Sequence, residues 1–290
     1  MGSPCSLSLY VDRSADPSRL AVIAIDEVRR IEKLYTRYSS DSVLAQINRV
    51  AENMGAIVVD DETADLVDHA FRAHALSDGL FDITSGLLRG VWKDGIVDLP
   101  DDASIVALVA RVGLANVDWE RPRLAFKAPG MELDFGGIGK EYAADRAVAA
   151  LRSAGVEHGL VDLGGDIALV GAHPDGSSWR VGVRDPMGED KALATLFVKD
   201  GGIATSGSYE RYFEIAGRRF SHVLNPKTGW PVEGLPSATV AAETCLAAGV
   251  ASTIALLKGE AGARWLRDSG AIHLYVDASG RLGGSIPLSS

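Results

Sequence analysis

The order in which helical and strand-like patterns follow one another is the sequence feature that most constrains the fold of this chain. Amphipathic periodicity predicts long helices over residues 17–35 and 61–77, whereas short alternating runs predict strands, among them 6–11, 179–186 and 238–243. The two kinds of element do not alternate regularly, so the pattern does not indicate repeated βαβ units. It predicts an α+β fold, in which mixed or antiparallel β-sheets pack against helices.

The other elements predicted from the same patterns are shorter. An apolar strand over 158–173 is interrupted by Gly164 and Gly165, a pair that inside a strand usually marks a bulge or close backbone packing. A hairpin that leads into a polar turn is predicted over 211–232. The remaining predicted helices and strands lie at 39–49, 102–111, 117–128, 193–207, 244–257, 259–268 and 271–277, together with a helix that ends near Ser153. Because no stretch of the 290 residues marks a linker, the chain is interpreted as a single domain over 1–290.

Composition excludes several classes of partner. The formal charge of −10 argues against nucleic acid, since neutralising phosphates requires a basic face. Two cysteines, Cys5 and Cys245, without a CxxC pair give no disulfide framework or metal cluster and favour a reducing compartment. No apolar run is long enough for a transmembrane helix. No hydrophobic leader precedes Cys5, so the expected location is cytoplasmic as the chain stands, or periplasmic if a leader was removed.

Two common kinds of catalytic centre find no support in the sequence. The six histidines are scattered, and His69 and His74 are five positions apart, which is not metal-ligand spacing on a helix. A G-x-S-x-G nucleophile motif is missing, so a hydrolase elbow is not predicted.

Polar, glycine-rich segments are the remaining candidates for chemistry. Each would be costly to bury without partners. They are therefore either ordinary turns or the walls of one composite cleft for a polyanionic ligand, and the residues alone leave both interpretations open. The segments lie at 82–84, 134–140, 164–166, 205–207 and 221–229.

Taken in order, these segments resemble the motifs of the ApbE family, the flavin transferases that move FMN from FAD onto a target protein. The match runs through nearly the whole chain and rests on a combination of motifs. They read MGSPCSLSLY, IEKLYTRYSSDSVLAQIN, GLFDITSGLL, DFGGIGKEYAAD, VDLGGDIALVG, IATSGSYERYF and SHVLNPKTGWPV. The resemblance implies an ApbE-like, T-fold-like architecture.

The resemblance also implies that FAD is the ligand and that Mg²⁺ accompanies it. Asp134 would contact the adenosine end, Lys140 stands where a flavin-contacting residue is found, and the carbonyl of Gly137 would help to bind the metal. Glycines suit this loop because they let backbone groups approach a pyrophosphate without an intervening Cβ. The FAD pocket would further be lined by Met1, Tyr38, Leu80, Phe81, Asp82 and Val223.

His222 and Thr253 are the catalytic residues that the resemblance implies, and Thr253 is also an expected metal ligand. The implied reaction is attack by a threonine or serine hydroxyl of an acceptor flavoprotein on the flavin-side phosphorus of FAD, with release of AMP. A hydroxyl is a poor nucleophile at neutral pH, and an imidazole with a pKa near ~6.5 is a suitable base. For His222 the alternative is a structural histidine at a strand end that bonds a backbone group.

Three positions depart from the family pattern. Gly249 stands where the late helix normally carries an aspartate four residues before Thr253, a spacing that places both side chains on one helix face. Ser208 replaces the usual aspartate of S-G-D-Y, and Glu141 replaces the glycine that follows the lysine. Hard cations favour carboxylates, so the loss at Gly249 weakens the expected magnesium site. Asp166 or Glu243 would compensate if either lies nearby.

These departures leave two alternatives beside an active Mg²⁺-dependent FAD:protein FMN transferase. One is a flavin-binding protein without transfer activity, which acts as a carrier or sensor. The other is a metal-dependent FAD pyrophosphatase that releases FMN and AMP. His222, Thr253 and Asp134 favour the transferase, whereas Gly249 and Ser208 favour the non-catalytic alternative.

Overall fold

The computed structural model describes residues 3–186, 192–209 and 211–287. Met1, one of the residues predicted to line the FAD pocket, lies outside these ranges. The α-helices are α1 (Pro17–Tyr35), α2 (Val43–Glu52), α3 (Asp61–Leu76), α4 (Asp102–Val109), α5 (Gly139–Ser153), α6 (Cys245–Leu257) and α7 (Gly262–Ser269). Short 3₁₀ helices lie at Ser85–Gly90, Leu114–Asn116 and Gly259–Ala261.

The strands form one large antiparallel sheet and three smaller units. The large sheet has seven strands in the order β1-β5-β6-β9-β12-β13-β14, a second sheet has the order β2-β4-β3, and β7–β8 and β10–β11 are hairpins. Antiparallel sheets packed with helices confirm the predicted α+β class. The strands are β1 (Cys5–Tyr10), β2 (Ala56–Val58), β3 (Val117–Glu120), β4 (Arg123–Phe126), β5 (His158–Leu163), β6 (Asp166–Gly171), β7 (Trp179–Arg184), β8 (Ala192–Val198), β9 (Gly201–Gly207), β10 (Tyr212–Ile215), β11 (Arg218–Ser221), β12 (Ser237–Ala242), β13 (Ile272–Val276) and β14 (Leu282–Gly284).

Alternation along the central strands explains how the large sheet is covered on both faces. Val161 and Ala168 join the core beneath the helices, whereas Leu160 and Ile167 pack with the β7–β8 hairpin. Helix α5 lies against β5 and β6, α6 lies against β9 and β12, and the two helices touch each other. Helix α1 packs outside α5. This layering brings the first turn of α5 close to the middle of α6.

The glycine pair in the strand predicted over 158–173 makes a hairpin turn rather than a bulge. Gly164 and Gly165 have φ angles of +69° and +92° and connect β5 to the antiparallel β6. Positive φ at both central residues is typical of the two-residue hairpin turn, and glycine adopts it without strain. The turn thereby places Asp166 at the start of β6, beside the end of β5.

The contact between α5 and α6 is fixed by Asp145, whose carboxylate accepts hydrogen bonds from the amides of Cys245 at 2.9 Å and Leu246 at 2.8 Å. We expect Asp145→Ala to lower the free energy of unfolding by about 1–3 kcal/mol, because two helix-terminal amides lose a charged acceptor. Urea unfolding measures this loss. The control Asp26→Ala removes an exposed carboxylate of α1 and should stay within about 0.5 kcal/mol of the parent. Equal stability of the two variants would contradict the expectation.

Candidate functional site

The glycine-rich loop before α5 packs on the segment that follows α3. The amide of Asp134 donates to the carbonyl oxygen of Ile83 at 2.7 Å, and a Cβ on Gly137 would lie 3.4 Å from the ring of Phe81. No side chain of the described residues caps the N-terminus of α5, which begins at Gly139. Exposed glycines beside an uncapped helix start give backbone groups that a phosphate can approach closely.

Acidic and basic side chains surround Asp134. Arg89 forms an ion pair with Asp134 and a second one with Glu132 at 2.9 Å. Arg37 interacts electrostatically with the carboxylates of Asp134 and Glu132. It also donates a hydrogen bond to the hydroxyl of Tyr38 at 2.7 Å. Tyr38 is 85% exposed. An exposed aromatic ring beside a basic and an acidic group is a suitable surface for a base or flavin ring.

Asp82 is engaged inside the protein, so its predicted contact with FAD does not come from free carboxylate oxygens. One oxygen accepts from the amide of Thr84 at 2.8 Å and from its hydroxyl at 2.6 Å, and the other accepts from the amide of Leu114 at 3.0 Å. The buried carboxylate therefore holds the loop in which the neighbouring Leu80 and Phe81 lie. Leu80 is half-buried against the core.

Lys140 reaches across to the hairpin turn of the large sheet. Its Nζ lies 2.6 Å from Asp166 Oδ2, and Asp166 Oδ1 accepts from the amide of Thr205 at 3.3 Å. A Cβ on Gly164 would lie 3.8 Å from the same Nζ. The Asp166 carboxylate thus joins Lys140 in the first turn of α5 to Thr205 of β9.

The end of β9 and the middle of α6 share a cluster of hydroxyl groups. Ser206 Oγ lies 2.8 Å from Ser252 Oγ and 2.9 Å from Thr253 Oγ1, and the Ser252 hydroxyl donates to the carbonyl oxygen of Gly249 at 3.0 Å. Gly249, Ser252 and Thr253 lie on one face of α6 because residues three and four apart are neighbours on a helix. These oxygen atoms suit a hard cation or a phosphate.

Glu141 occupies the space beside Gly249. A Cβ on Gly249 would lie 2.5 Å from Glu141 Cγ and 3.0 Å from its Cδ and Oε1. Glu141 is 8% exposed, and its Oε2 has no hydrogen-bond partner among the described residues. Burial raises the pKa of this carboxyl group well above its usual value, and the nearby Asp166 carboxylate raises it further.

His222 follows the β10–β11 hairpin at the surface. Its Nδ1 lies 2.9 Å from the carbonyl oxygen of Arg211, while the neighbouring Val223 packs against the core. The polar turn after Val223 is tied to the segment behind α3, since Lys227 Nζ donates to the carbonyl oxygen of Asp78 at 2.7 Å. This contact holds the last of the polar segments beside the residues that precede the first.

Contacts join four of the polar segments in series, through the pairs Asp134–Ile83, Lys140–Asp166 and Asp166–Thr205. Ser206 in the fourth of these segments also contacts Thr253 on α6, and Lys227 of the fifth segment contacts Asp78, which precedes the first. Glu243, the other acid expected to compensate, lies elsewhere. Its Cα is beside Gly201, at the opposite end of β9 from Ser206. Ser206 belongs to the predicted segment 205–207 but was not singled out, and neither Ser252 nor the inward position of Glu141 was predicted. The sequence held one signal for the inward position of Glu141: this chain gains a carboxylate at 141 and loses one at 249.

Two further observations concern the rest of the surface. A cavity of about 520 Å³ opens beside the β10–β11 hairpin, where Phe220, Asn225 and Trp230 contribute to its lining. Within the described structure, none of the predicted ligand or catalytic residues lines this cavity. In the same part of the chain that the structure covers, no helix combines the length and apolarity needed to cross a membrane.

Comparison with known proteins gives consistent matches. The model of the ApbE family matches residues 1–276. The FAD:protein FMN transferase of Escherichia coli strain K12 is 34% identical over 227 residues, which cover 75% of this chain and 64% of that relative. The chain therefore spans less than two thirds of that relative's length. The FAD:protein FMN transferase of Salmonella typhimurium is 34% identical over 253 residues, and the aligned region covers 79% of this chain and 72% of that relative.

Solved structures agree with the sequence matches. The ApbE protein of Thermotoga maritima superposes with a TM-score of 0.87 at 32% identity, over 95% of this chain and 91% of that one. The flavin transferase ApbE of Vibrio cholerae superposes with a TM-score of 0.87 at 25% identity, over 100% of this chain and 94% of that one.

Proposed function

The chain belongs to the ApbE family, and from this premise we propose that it is an FAD:protein FMN transferase that moves FMN from FAD to a threonine or serine hydroxyl of an acceptor protein and releases AMP. The observation that carries the proposal is the series of contacts that joins four of the polar segments around the start of α5, with the fifth held beside the first through Lys227 and Asp78. Relatives bearing this name are 34% identical to the chain. A likeness in fold alone would not support an activity.

In this proposal FAD lies along the loop before α5. The exposed glycines Gly136 and Gly137 let the pyrophosphate approach the backbone, and Lys140 supplies a positive charge beside it. Tyr38 offers an exposed ring to one aromatic end of FAD, and Asp134 offers a carboxylate to the adenosine end. Leu80, Phe81 and Val223 provide apolar contacts, with the loop held by Asp82.

His222 is proposed as the base that takes the proton of the acceptor hydroxyl. A hydrogen bond from Nδ1 to the Arg211 carbonyl oxygen at 2.9 Å requires the proton on Nδ1, so in the neutral imidazole Nε2 carries the lone pair. The hydroxyl oxygen forms a bond to the flavin-side phosphorus, its proton passes to Nε2, and the bond from phosphorus to the bridging oxygen breaks. AMP leaves with that oxygen, and FMN stays on the acceptor as a phosphoester.

A divalent cation fits the residues around Thr253. Glu141 presents a buried carboxylate oxygen that lacks a hydrogen-bond partner among the described residues, and hydroxyl oxygens lie on the adjacent face of α6. The described residues contain no cluster of three or more His, Cys, Asp or Glu side chains suited to a metal. The proposed cation site beside Thr253 therefore depends on hydroxyl and backbone oxygens, among them the Gly137 carbonyl, and on the phosphates of FAD. When bound, Mg²⁺ would neutralise charge on the pyrophosphate.

The test is incubation of the full chain with FAD and an acceptor protein that carries a flavinylation motif, with Mg²⁺ or with EDTA. We expect AMP release and an acceptor whose mass increases by that of FMN, only with Mg²⁺. An acceptor with valine at the modified threonine is the control. FAD cleavage to free FMN and AMP without labelling would identify a pyrophosphatase. FAD binding without AMP release would identify a flavin-binding protein that lacks transfer activity.

The role of Lys140 gives a separate prediction. We expect Lys140→Met to raise the Kd for FAD by about tenfold, which corresponds to about 1.4 kcal/mol, because the pyrophosphate loses a nearby positive charge. Quenching of flavin fluorescence measures the Kd. Lys127→Met is the matched control, since Lys127, directly after β4, forms an exposed ion pair of the same length with Asp118 of β3. An unchanged affinity in Lys140→Met would contradict the prediction.

A further inference from the structure

Two positions that depart from the family pattern, Glu141 and Gly249, are in contact. Glu141 extends from the first turn of α5 to Gly249 on α6, so closely that a Cβ on Gly249 would lie 2.5 Å from Glu141 Cγ. Real Cβ atoms do not approach so closely, so an aspartate at position 249 would require the Glu141 side chain to leave the position it occupies here. The carboxylate of Glu141 fills the space into which an aspartate on α6 would project.

The carboxylate of Glu141 lies beside another acid, Asp166, and the positive charge of Lys140, which also acts on Glu141, is paired with Asp166. Glu141 is 8% exposed, and among the described residues its Oε2 finds no hydrogen-bond donor. The nearest acid, Asp166, is already satisfied by Lys140 at 2.6 Å and by the amide of Thr205 at 3.3 Å. A buried carboxylate oxygen without a hydrogen-bond donor is costly, and the hydroxyl groups of Ser206 and Thr253 on the same side of α6 provide further oxygen atoms that suit a cation.

The geometry points to Glu141 as the carboxylate ligand of the divalent cation in this chain, in place of the aspartate that Gly249 has lost. The inference rests on the proposed function, in which a cation accompanies the pyrophosphate of FAD. Thr253 remains on α6 beside the relocated carboxylate, and the backbone of Gly137 precedes it on the loop before α5. The site is thus rebuilt with its charge supplied by α5 instead of α6.

The alternatives are distinguishable by geometry. Glu243 lies beside Gly201, at the far end of β9 from Ser206, and β9 extends by about 3.3 Å per residue. That separation places Glu243 too far from Thr253 to share a cation with it. The remaining alternative is that Glu141 and Asp166 share a proton and that no metal binds beside Gly249.

The test uses Mn²⁺ as the probe, with its binding to the full chain measured by electron paramagnetic resonance in the presence of FAD. We compare the parent with Glu141→Gln, with the double variant Glu141→Gly and Gly249→Asp, and with the control Glu243→Gln. Glu141→Gln keeps the shape of the side chain, and its fold is verified by circular dichroism. The double variant returns the carboxylate to α6.

We expect Glu141→Gln to raise the Kd for Mn²⁺ by at least about tenfold, since even groups outside the ligand shell of a metal typically contribute that much. The double variant should bind Mn²⁺ within about threefold of the parent, and Glu243→Gln should be unchanged. An equal Kd for the parent and Glu141→Gln would overturn the inference in favour of the shared proton.

The same proteins separate this inference from the proposed function. If the parent binds Mn²⁺ through Glu141 but neither labels an acceptor nor releases AMP, the metal ligand stands and the transferase does not. If the parent labels the acceptor while Glu141→Gln binds Mn²⁺ normally, the transferase stands and the inference about Glu141 is overturned.

Discussion

Replacing His222 by alanine should reduce the rate of FMN transfer by about 10²–10⁴-fold, because a positioned general base typically contributes that much. The affinity for FAD should change by less than about threefold, since His222 is proposed to act on the acceptor hydroxyl. The rate is followed by acceptor mass and AMP release, and the Kd for FAD by flavin fluorescence.

His69→Gln is the control for this prediction. His69 lies exposed on α3, and its replacement should leave both the rate and the FAD affinity unchanged. A transfer rate in His222→Ala within tenfold of the parent would assign the histidine a structural role, in which its Nδ1 merely ties the strand end to the carbonyl oxygen of Arg211.

Trp92→Ala should destabilise the protein more than Asp145→Ala does, by about 3–5 kcal/mol in the free energy of unfolding. Trp92 is 1% exposed, and its ring lies 5.5 Å from that of Phe213, 5.9 Å from that of Phe220 and 5.4 Å from that of Trp230. Its Nε1 also donates to the carbonyl oxygen of Gly229 at 2.7 Å. Removal of the indole leaves a cavity and an unpaired carbonyl together.

Two further variants separate these contributions in urea unfolding. Trp92→Phe keeps most of the aromatic packing but removes the donor to Gly229, so it should cost about 1–3 kcal/mol. Phe197→Ala removes an aromatic ring that is 66% exposed and should stay within about 0.5 kcal/mol of the parent. If Trp92→Ala were as stable as Phe197→Ala, the indole would not be what anchors the β10–β11 hairpin.

The long helices could be predicted because their signals are local. Asp16 precedes Pro17 and accepts hydrogen bonds from the amides of Ser18 and Arg19, which fixes the start of α1 as the capping pattern indicates. The hairpin predicted over 211–232 is confirmed by β10 and β11 for the same reason. The three-residue strands β2 and β14 were missed because their alternation is too short to detect, and β2 in addition pairs with β4, which lies far along the chain.

The candidate site was predictable in its parts but not in its pairings. The glycine and acid pattern marked the loop at Asp134 and the turn at Asp166, because such residues are unusual in apolar surroundings. Tertiary packing determines that Lys140 forms an ion pair with Asp166. It also determines that the Asp82 carboxylate accepts its hydrogen bonds from Thr84 and other groups of the protein. Sequence spacing carries no information about which segments meet across the sheet.

The close approach of Glu141 to Gly249 has an evolutionary consequence. A side chain at 249 collides with the glutamate in its present position, so the residue that fits at 249 depends on the residue at 141. A lineage that changes from aspartate at 249 to glutamate at 141 in single steps passes through an ancestor with both acids or with neither. The ancestor with neither acid lacks the negative charge of the site but avoids the collision between the two side chains. Homologues should therefore covary at these positions, with glutamate accompanied by glycine and aspartate accompanied by a small residue. A motif search that requires the aspartate on α6 would discard such chains as degenerate, although they keep the carboxylate on α5 instead.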